Sequence, residues 1–125
     1  MSPRFVPASV TELQRVGVLA GLSGETLGRL AERMRREEIP AGTRMVTEDS
    51  DDDRFFVLLS GLAAVSQRGR GERSLLRPGE TFGEVAAALG TARTATVTAM
   101  TTCTVASCDR ETFDQIVRPL FADDA

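Results

Sequence analysis

The sequence predicts a mainly β domain with flanking helices, folded as an antiparallel β-roll or jelly roll of about eight strands. Two observations favour this class. Turn-forming residues recur at short intervals between residues 37 and 108, and the segments between them have the length and composition of short strands. Helix-capping residues stand on either side of this stretch. We therefore expect a single domain over residues 1–125, with a helical lead-in over 9–36, the β-roll over 37–108 and a C-terminal helix over 109–118.

The helical lead-in is predicted to be a pair of helices, each opened by a serine. Ser9 and Glu12 have the spacing of a capping box, in which each residue satisfies a free backbone N–H of the other. Ser23 stands in the same place before a second segment, where Leu27 and Leu30 recur at helical spacing. The lead-in should therefore bury one apolar face of each helix against the roll.

The C-terminal helix is predicted from a cap, an apolar stripe and a stop signal. Asp109 is an N-cap residue type, and Phe113, Ile116 and Val117 follow on one helical face. Pro119 lacks a backbone N–H and is expected to end the helix. This helix should pack its apolar side on the roll.

Composition excludes several classes of function. The chain has no histidine, which removes histidine-based acid–base catalysis, histidine metal sites and Ser-His-Asp systems, so we expect no enzyme and no metal centre. The net charge of −3 gives no basic field for nucleic acid. No run approaches the ~18 apolar residues of a membrane span.

The two cysteines are expected to be free thiols. Cys103 and Cys108 lie five residues apart in a strand-like run, so their side chains should point to opposite faces. A disulfide between them would need the two Cβ atoms to face each other. Reduced, buried cysteines fit a cytoplasmic protein.

The acidic run at residues 49–53 is predicted to be a loop without a calcium ion. Asp49, Asp51 and Asp53 have the offsets of the first three EF-hand ligands. The sixth position is Arg54 instead of the required glycine, and the twelfth is Ser60 instead of glutamate. We therefore expect these carboxylates to act without a bound metal.

Residues 82–97, FGEVAAALGTARTATV, predict a pocket for an anionic, hydroxylated small molecule. A short helix over 85–89 should begin at a glycine turn and end at Gly90. After this helix the side-chain pattern alternates with a period of two residues, as in a β-strand. This alternation puts Arg93, Ala95 and Val97 on the face of the strand that is turned toward the core. A guanidinium held near a core requires an anion, because burial of an unpaired charge is costly.

Four segments carry a resemblance to a known family. They are residues 39–43 (IPAGT), 54–61 (RFFVLLSG), 77–84 (RPGETFGE) and 90–97 (GTARTATV), and Arg93 follows Glu84 by nine residues. In this order and spacing they resemble the cyclic nucleotide-binding domain, the jelly-roll domain of bacterial cAMP-receptor-type regulators, cyclic-nucleotide-dependent kinases and gated channels. The resemblance covers about residues 19 to 120.

The resemblance implies a cyclic nucleotide sensor and a set of ligand-binding residues. In the family, the residue at Glu84 accepts from the ribose 2′-hydroxyl, and the residue at Arg93 holds the cyclic phosphate. By the same resemblance, Gly83 admits the ribose, Val85 orients the helix start, and the backbone N–H groups of Ala86 and Ala95 help to hold the phosphate. Some cGMP-selective members have a hydroxyl at the position of Thr94, and Val65 is a weaker candidate for the wall against the base. The implied ligand-binding residues are therefore Gly83, Glu84, Val85, Ala86, Arg93, Thr94 and Ala95. Both cAMP and cGMP remain open as the ligand.

The chain also departs from the family pattern, and an alternative function follows. Asp49 and Asp52 stand where the family usually has glycines, Ala92 replaces a common proline, and Ala87 and Ala88 replace a large apolar pair. In the alternative, the roll is a structural or protein-interaction module in which Arg93 pairs with Glu84 or with another carboxylate of the protein. In either case an output domain or partner protein is expected outside this chain, which is either free-standing or part of a longer protein.

Overall fold

The described part of the chain forms two four-stranded antiparallel sheets. It also contains three α-helices and a 3₁₀ turn, which precede a C-terminal helix. The computed structural model describes residues 5–89 and 92–121, so the predicted helix stop at Gly90 lies outside the described residues. The elements are α1 (Val10–Gln14), a 3₁₀ turn (Gly17–Leu19), α2 (Gly24–Arg33), β1 (Arg35–Ile39), β2 (Arg44–Val46), β3 (Phe55–Ser60), β4 (Ala63–Gln67), β5 (Gly71–Leu76), β6 (Thr81–Phe82), α3 (Glu84–Leu89), β7 (Thr96–Ala99), β8 (Cys103–Cys108) and a C-terminal helix in three stretches, α4 (Arg110–Thr112), a π-helical turn (Phe113–Val117) and α5 (Arg118–Phe121).

The strands pair as β1-β8-β3-β6 in one sheet and β2-β7-β4-β5 in the other. Within the described residues this is the predicted eight-stranded antiparallel roll, and the fold class is confirmed. The first strand begins at Arg35, inside the expected helical lead-in, and pairs along its length with β8. Residues 37–39 were expected in the roll, but the strand starts two residues earlier, because RREEI has no alternation of apolar and polar residues that would mark its first residue.

The core has two parts, and β3 contributes to both. Phe55 and Val57 pack with the helices, whereas Phe56 and Leu58 pack between the two sheets. A strand that is buried on both faces has apolar residues at consecutive positions, because neither face is exposed to water. This explains why residues 55–59 do not alternate between apolar and polar side chains. This central strand is therefore a rigid base for the loop that precedes it and for β6, which pairs with it.

Both predicted serine caps are present. Ser9 accepts from the backbone N–H of Glu12, whose carboxylate accepts from Ser9 in return, and Ser23 accepts from the backbone N–H of Thr26. Leu27 and Leu30 are buried, as the helical spacing predicted. No helix among residues 5–89 and 92–121 is long and apolar enough to cross a membrane.

The C-terminal helix begins where predicted but does not end at Pro119. Asp109 accepts from the backbone N–H of Thr112, and Phe113 and Val117 are buried. The chain then widens into a π-helical turn, closed by a bond from the Arg118 N–H to the Phe113 carbonyl. Pro119 falls in the first turn of the next stretch, α5, where a missing N–H is tolerated, so the helix continues to Phe121.

The cysteine prediction is confirmed. Cys103 and Cys108 are free thiols and both are buried, Cys103 between the sheets and Cys108 against the helices. Burial raises the pKa of Cys108 to about 12, so this thiol stays protonated and unreactive at neutral pH.

Candidate ligand pocket

The bend between β6 and α3 brings a backbone glycine against a buried arginine. Gly83 has φ +87°, in the left-handed region that favours glycine. A Cβ placed on Gly83 would lie 2.7 Å from the carbonyl oxygen of Arg54 and 2.8 Å from Nη1 of Arg93. The family resemblance implied that Gly83 admits the ribose of a ligand; what the structure shows is that the missing side chain of Gly83 makes room for the Arg93 guanidinium.

Arg93 points inward, as the period-two pattern predicted. It is 3% exposed, while its neighbour Thr94 is exposed. Its Nη1 donates to the Gly83 carbonyl (3.1 Å) and its Nη2 to the Arg54 carbonyl (2.7 Å). Its guanidinium carbon lies 5.8 Å from the ring centroid of Phe56. These contacts fix the guanidinium in one orientation between β3 and the bend.

The position of Arg93 is also fixed through its backbone. Its N–H donates to the Ser50 carbonyl (2.9 Å), and its carbonyl accepts from the N–H of Asp49 (2.8 Å). Asp49 has φ +69°, which is the left-handed conformation that aspartate tolerates better than most residues. The acidic loop and the segment carrying Arg93 are therefore held together as one unit.

Asp52 lies beside Arg93, which sequence spacing did not predict. One of its carboxylate oxygens is 3.6 Å from Nη2 of Arg93, and the other is 3.0 Å from Nη2 of Arg54. Burial alone would raise the pKa of Asp52, but hydrogen bonds from Arg54 and the charges of Arg54 and Arg93 bring it below its usual value. Within the described residues this is the carboxylate at ion-pair distance from Arg93; Glu84, the partner considered in the alternative function, is not.

Two buried polar atoms in the site have no hydrogen-bond partner among the described residues. They are Nε of Arg93, a donor, and Oε2 of Glu84, an acceptor. Buried polar groups without partners are costly, and in native structures they call for an explanation. Burial lowers the pKa of Arg93, with the charge of Asp52 opposing the effect, but a guanidinium remains protonated at any physiological pH.

Both atoms belong to residues that line a cavity of about 220 Å³. The predicted site residues that line the cavity are Gly83, Glu84, Arg93, Thr94 and Ala95. Val65, the candidate for the base wall, also lines it. Val85 and Ala86 lie in the first turn of α3, directly after Glu84. The lining also includes the apolar residues Val46 of β2 and Leu76 of β5, which the sequence analysis did not identify because they come from two separate strands outside the 82–97 segment.

A hydrogen bond connects α3 to the C-terminal helix. Nη2 of Arg118 donates to the carbonyl of Ala88 at 2.7 Å and to Oδ1 of Asp114 at 2.6 Å. Ala87 is fully buried next to this contact, in the part of the core formed with the helices. The helix that starts at Glu84 is thus tied directly to the end of the chain.

These features define a β-roll with a small pocket whose lining includes a buried cation, Arg93, and a carboxylate, Glu84. The chain belongs to the cyclic nucleotide-binding domain family, whose model matches residues 36–119. The resemblance found in the sequence is therefore confirmed.

Curated relatives of this chain are regulatory subunits of protein kinases. The cAMP-dependent protein kinase regulatory subunit of Yarrowia lipolytica is 33% identical over 109 residues, which is 86% of this chain and 29% of that protein. The subunit of the same name from Debaryomyces hansenii is 34% identical over 107 residues, 86% of this chain and 24% of that protein. The chain thus spans less than a third of the length of these relatives.

Solved structures show the same fold. The regulatory domain of Toxoplasma gondii PKA with cAMP superposes with a TM-score of 0.83 at 26% identity, covering 89% of this chain and 44% of that one. The compared protein was crystallised with cAMP.

Proposed function

We propose that this chain is a non-catalytic regulatory domain that binds a cyclic nucleotide, cAMP or cGMP, in the cavity between Arg93 and Glu84. The observation that carries the proposal is the pair of buried atoms without partners, Nε of Arg93 and Oε2 of Glu84. One is a charged donor and the other a carboxylate acceptor, and both residues line the same cavity. A molecule with an anion and a hydroxyl group satisfies both.

A cyclic nucleotide provides those two groups in one rigid unit. Arg93 donates from Nε to the cyclic phosphate, and Glu84 accepts from the ribose 2′-hydroxyl. Hydrogen bonds of this charged kind contribute about 1.5–3 kcal/mol each. In this assignment the backbone N–H groups of Ala86 and Ala95 also face the phosphate, and Val85 orients the first turn of α3.

The base is placed against the apolar wall. Val46, Val65 and Leu76 present aliphatic surface that suits either purine. Thr94 lines the cavity, and its hydroxyl is the group that would favour guanine. Similar proteins carry cAMP in their names, which supports cAMP, so both nucleotides belong in the test.

Regulation follows from the link between α3 and the C-terminal helix. A ligand that bonds Glu84, at the start of α3, biases the position of that helix. The Arg118 bond to the Ala88 carbonyl passes the change to the end of the chain. The output is then an attached domain or a partner protein, in a cytoplasmic setting that suits the two free thiols.

The proposal is tested by thermal unfolding of the chain with cAMP, with cGMP and with no ligand. A ligand at 100-fold its dissociation constant stabilises the folded state by about 2.7 kcal/mol. For a domain of this size the midpoint should rise on the order of 5–15 °C. The rise should disappear in Arg93→Ala, measured against the unliganded midpoint of that variant. No rise in the parent chain with either nucleotide at millimolar concentration would overturn the proposal.

The alternative, a structural or protein-interaction module, is favoured by one observation. A carboxylate oxygen of Asp52 lies 3.6 Å from Nη2 of Arg93, so the buried charge of Arg93 is partly balanced by the protein itself. In that case neither nucleotide changes the midpoint, and Arg93→Ala only destabilises the fold. The two functions are therefore separated by the same melts.

A further inference from the structure

Asp52 is held in place next to Arg93 by the architecture of the acidic loop. The loop is bonded to the backbone of Arg93 on both sides, through Asp49 and Ser50. Oδ1 of Asp52 accepts from the backbone N–H of Arg54 (3.0 Å), which closes a tight turn. The carboxylate is therefore held beside the guanidinium of Arg93, which lines the pocket, although Asp52 itself does not line it.

The charges around the guanidinium leave little capacity for further negative charge. Arg93 and Arg54 are the cations in this group, and Asp52, Asp53 and Glu84 are the anions that act on Arg93. Arg54 already forms ion pairs within the protein, because its Nη2 lies 3.0 Å from Oδ2 of Asp52 and its Nη1 lies 3.9 Å from Oε1 of Glu37. The carboxylates thus outnumber the guanidiniums before any ligand enters.

Most hydrogen-bond donors of the Arg93 guanidinium face acceptors or charges of the protein. Nη1 and Nη2 donate to backbone carbonyls, and Nη2 also faces Asp52. Nε is the donor without a partner among the described residues. A phosphate therefore meets one free donor on a cation whose charge Asp52 has already partly balanced.

We infer that Asp52 determines the charge of the ligand that this pocket accepts, selecting a singly charged phosphodiester over a doubly charged phosphate monoester. The inference rests on the proposed function and adds a specificity residue to it. A phosphodiester brings one negative charge, which is attracted by the part of the Arg93 charge that Asp52 leaves unbalanced. A monoester brings a second, which Asp52 repels in a site where burial weakens solvent screening.

The experiment compares cAMP with 5′-AMP by calorimetric titration of the full chain. The titrations are run near pH 8, above the second phosphate pKa of about 6, so that 5′-AMP is a dianion. The variants are Asp52→Asn, which keeps an oxygen to accept from the Arg54 N–H, and Asp52→Ser as a second form of the same change. Asp51→Asn is the matched control, because Asp51 is exposed and its removal changes the net charge of the loop equally.

The expected result is a change in the ratio of the two affinities. Asp52→Asn and Asp52→Ser should shift that ratio toward 5′-AMP on the order of tenfold, whereas Asp51→Asn should leave it close to the parent value. If the chain binds cAMP but the ratio in both Asp52 variants equals that in Asp51→Asn, the inference is overturned and the proposed function stands. If the folded parent and all variants bind neither cAMP nor 5′-AMP, and cGMP does not bind in a parallel titration, the proposed function and the inference fail together.

Discussion

Gly83 and Arg93 form a mutually dependent pair at the scale of single residues. The guanidinium lies in the space that any side chain on Gly83 would fill, and it donates to the carbonyl of that same glycine. Glycine is therefore required there for backbone conformation and for the approach of Arg93. The turn next to the pocket depends on both residues.

A substitution at Gly83 tests this dependence. Gly83→Ala should lose roughly 1–2 kcal/mol of unfolding free energy for the left-handed backbone. It should lose roughly 1–3 kcal/mol more because its Cβ overlaps the Arg54 carbonyl and the Arg93 guanidinium. Chemical denaturation of parent and variant measures the difference.

Gly42→Ala is the control for that measurement. Gly42 has φ +88°, nearly the same as Gly83, but nothing lies within 4 Å of a Cβ placed there. It should therefore show the conformational loss alone. Equal losses in the two variants would mean that Arg93 does not depend on the open space at Gly83.

At the scale of elements, the sequence predicted what depends on local pattern. The Ser9, Ser23 and Asp109 caps are where residue type and spacing indicated. The alternation after the glycine bend placed Arg93 and Val97 on the buried face, although regular strand pairing begins only at β7. Caps and alternation are read from neighbours a few residues apart, which is why they were visible.

Elements fixed by distant contacts were not predictable in the same way. The polar strand β1 begins at Arg35, two residues before the expected start of the roll, because its first residues pair with β8. The C-terminal helix passes Pro119 because a π-helical turn precedes it. The Asp52–Arg93 pair joins residues far apart in sequence, through a loop whose shape depends on backbone bonds to Arg93 itself.

The Asp109 cap gives a prediction at this scale. Asp109→Ala should lose about 1 kcal/mol of stability at neutral pH, because the Thr112 N–H at the helix start loses its acceptor. That hydrogen bond lowers the pKa of Asp109 in the folded state, so the stabilisation is present above the unfolded value of about 3.9. It should decrease as pH falls through the lower folded value.

Denaturation of parent and Asp109→Ala across pH 3 to pH 7 measures this effect, over the range in which aspartate titrates at about 3.9. The difference between the two proteins should shrink at the acid end. A difference that stays constant or grows as the pH falls would show that the cap does not act through the ionised carboxylate.

At the scale of the whole molecule, one strand connects the pocket to both parts of the core. Phe56 of β3 stacks on Phe82 with ring centroids 4.9 Å apart, directly before the Gly83 bend. Phe55, on the other face of β3, contacts Phe113 of the C-terminal helix, with centroids 5.2 Å apart. The pocket and the C-terminal helix therefore share a rigid central strand, in addition to the Arg118 bond to α3.

The most direct test of the central claim is calorimetric titration of the chain with cAMP and cGMP, repeated with Glu84→Gln and Arg93→Ala. Binding of at least one nucleotide is predicted, weakened in both variants and more strongly in Arg93→Ala, because Arg93 supplies the charge opposite the phosphate whereas Glu84 supplies one acceptor. A larger loss in Glu84→Gln would contradict the assignment of Arg93 to the phosphate. Absence of binding by the folded parent chain would contradict the claim that this pocket holds a cyclic nucleotide.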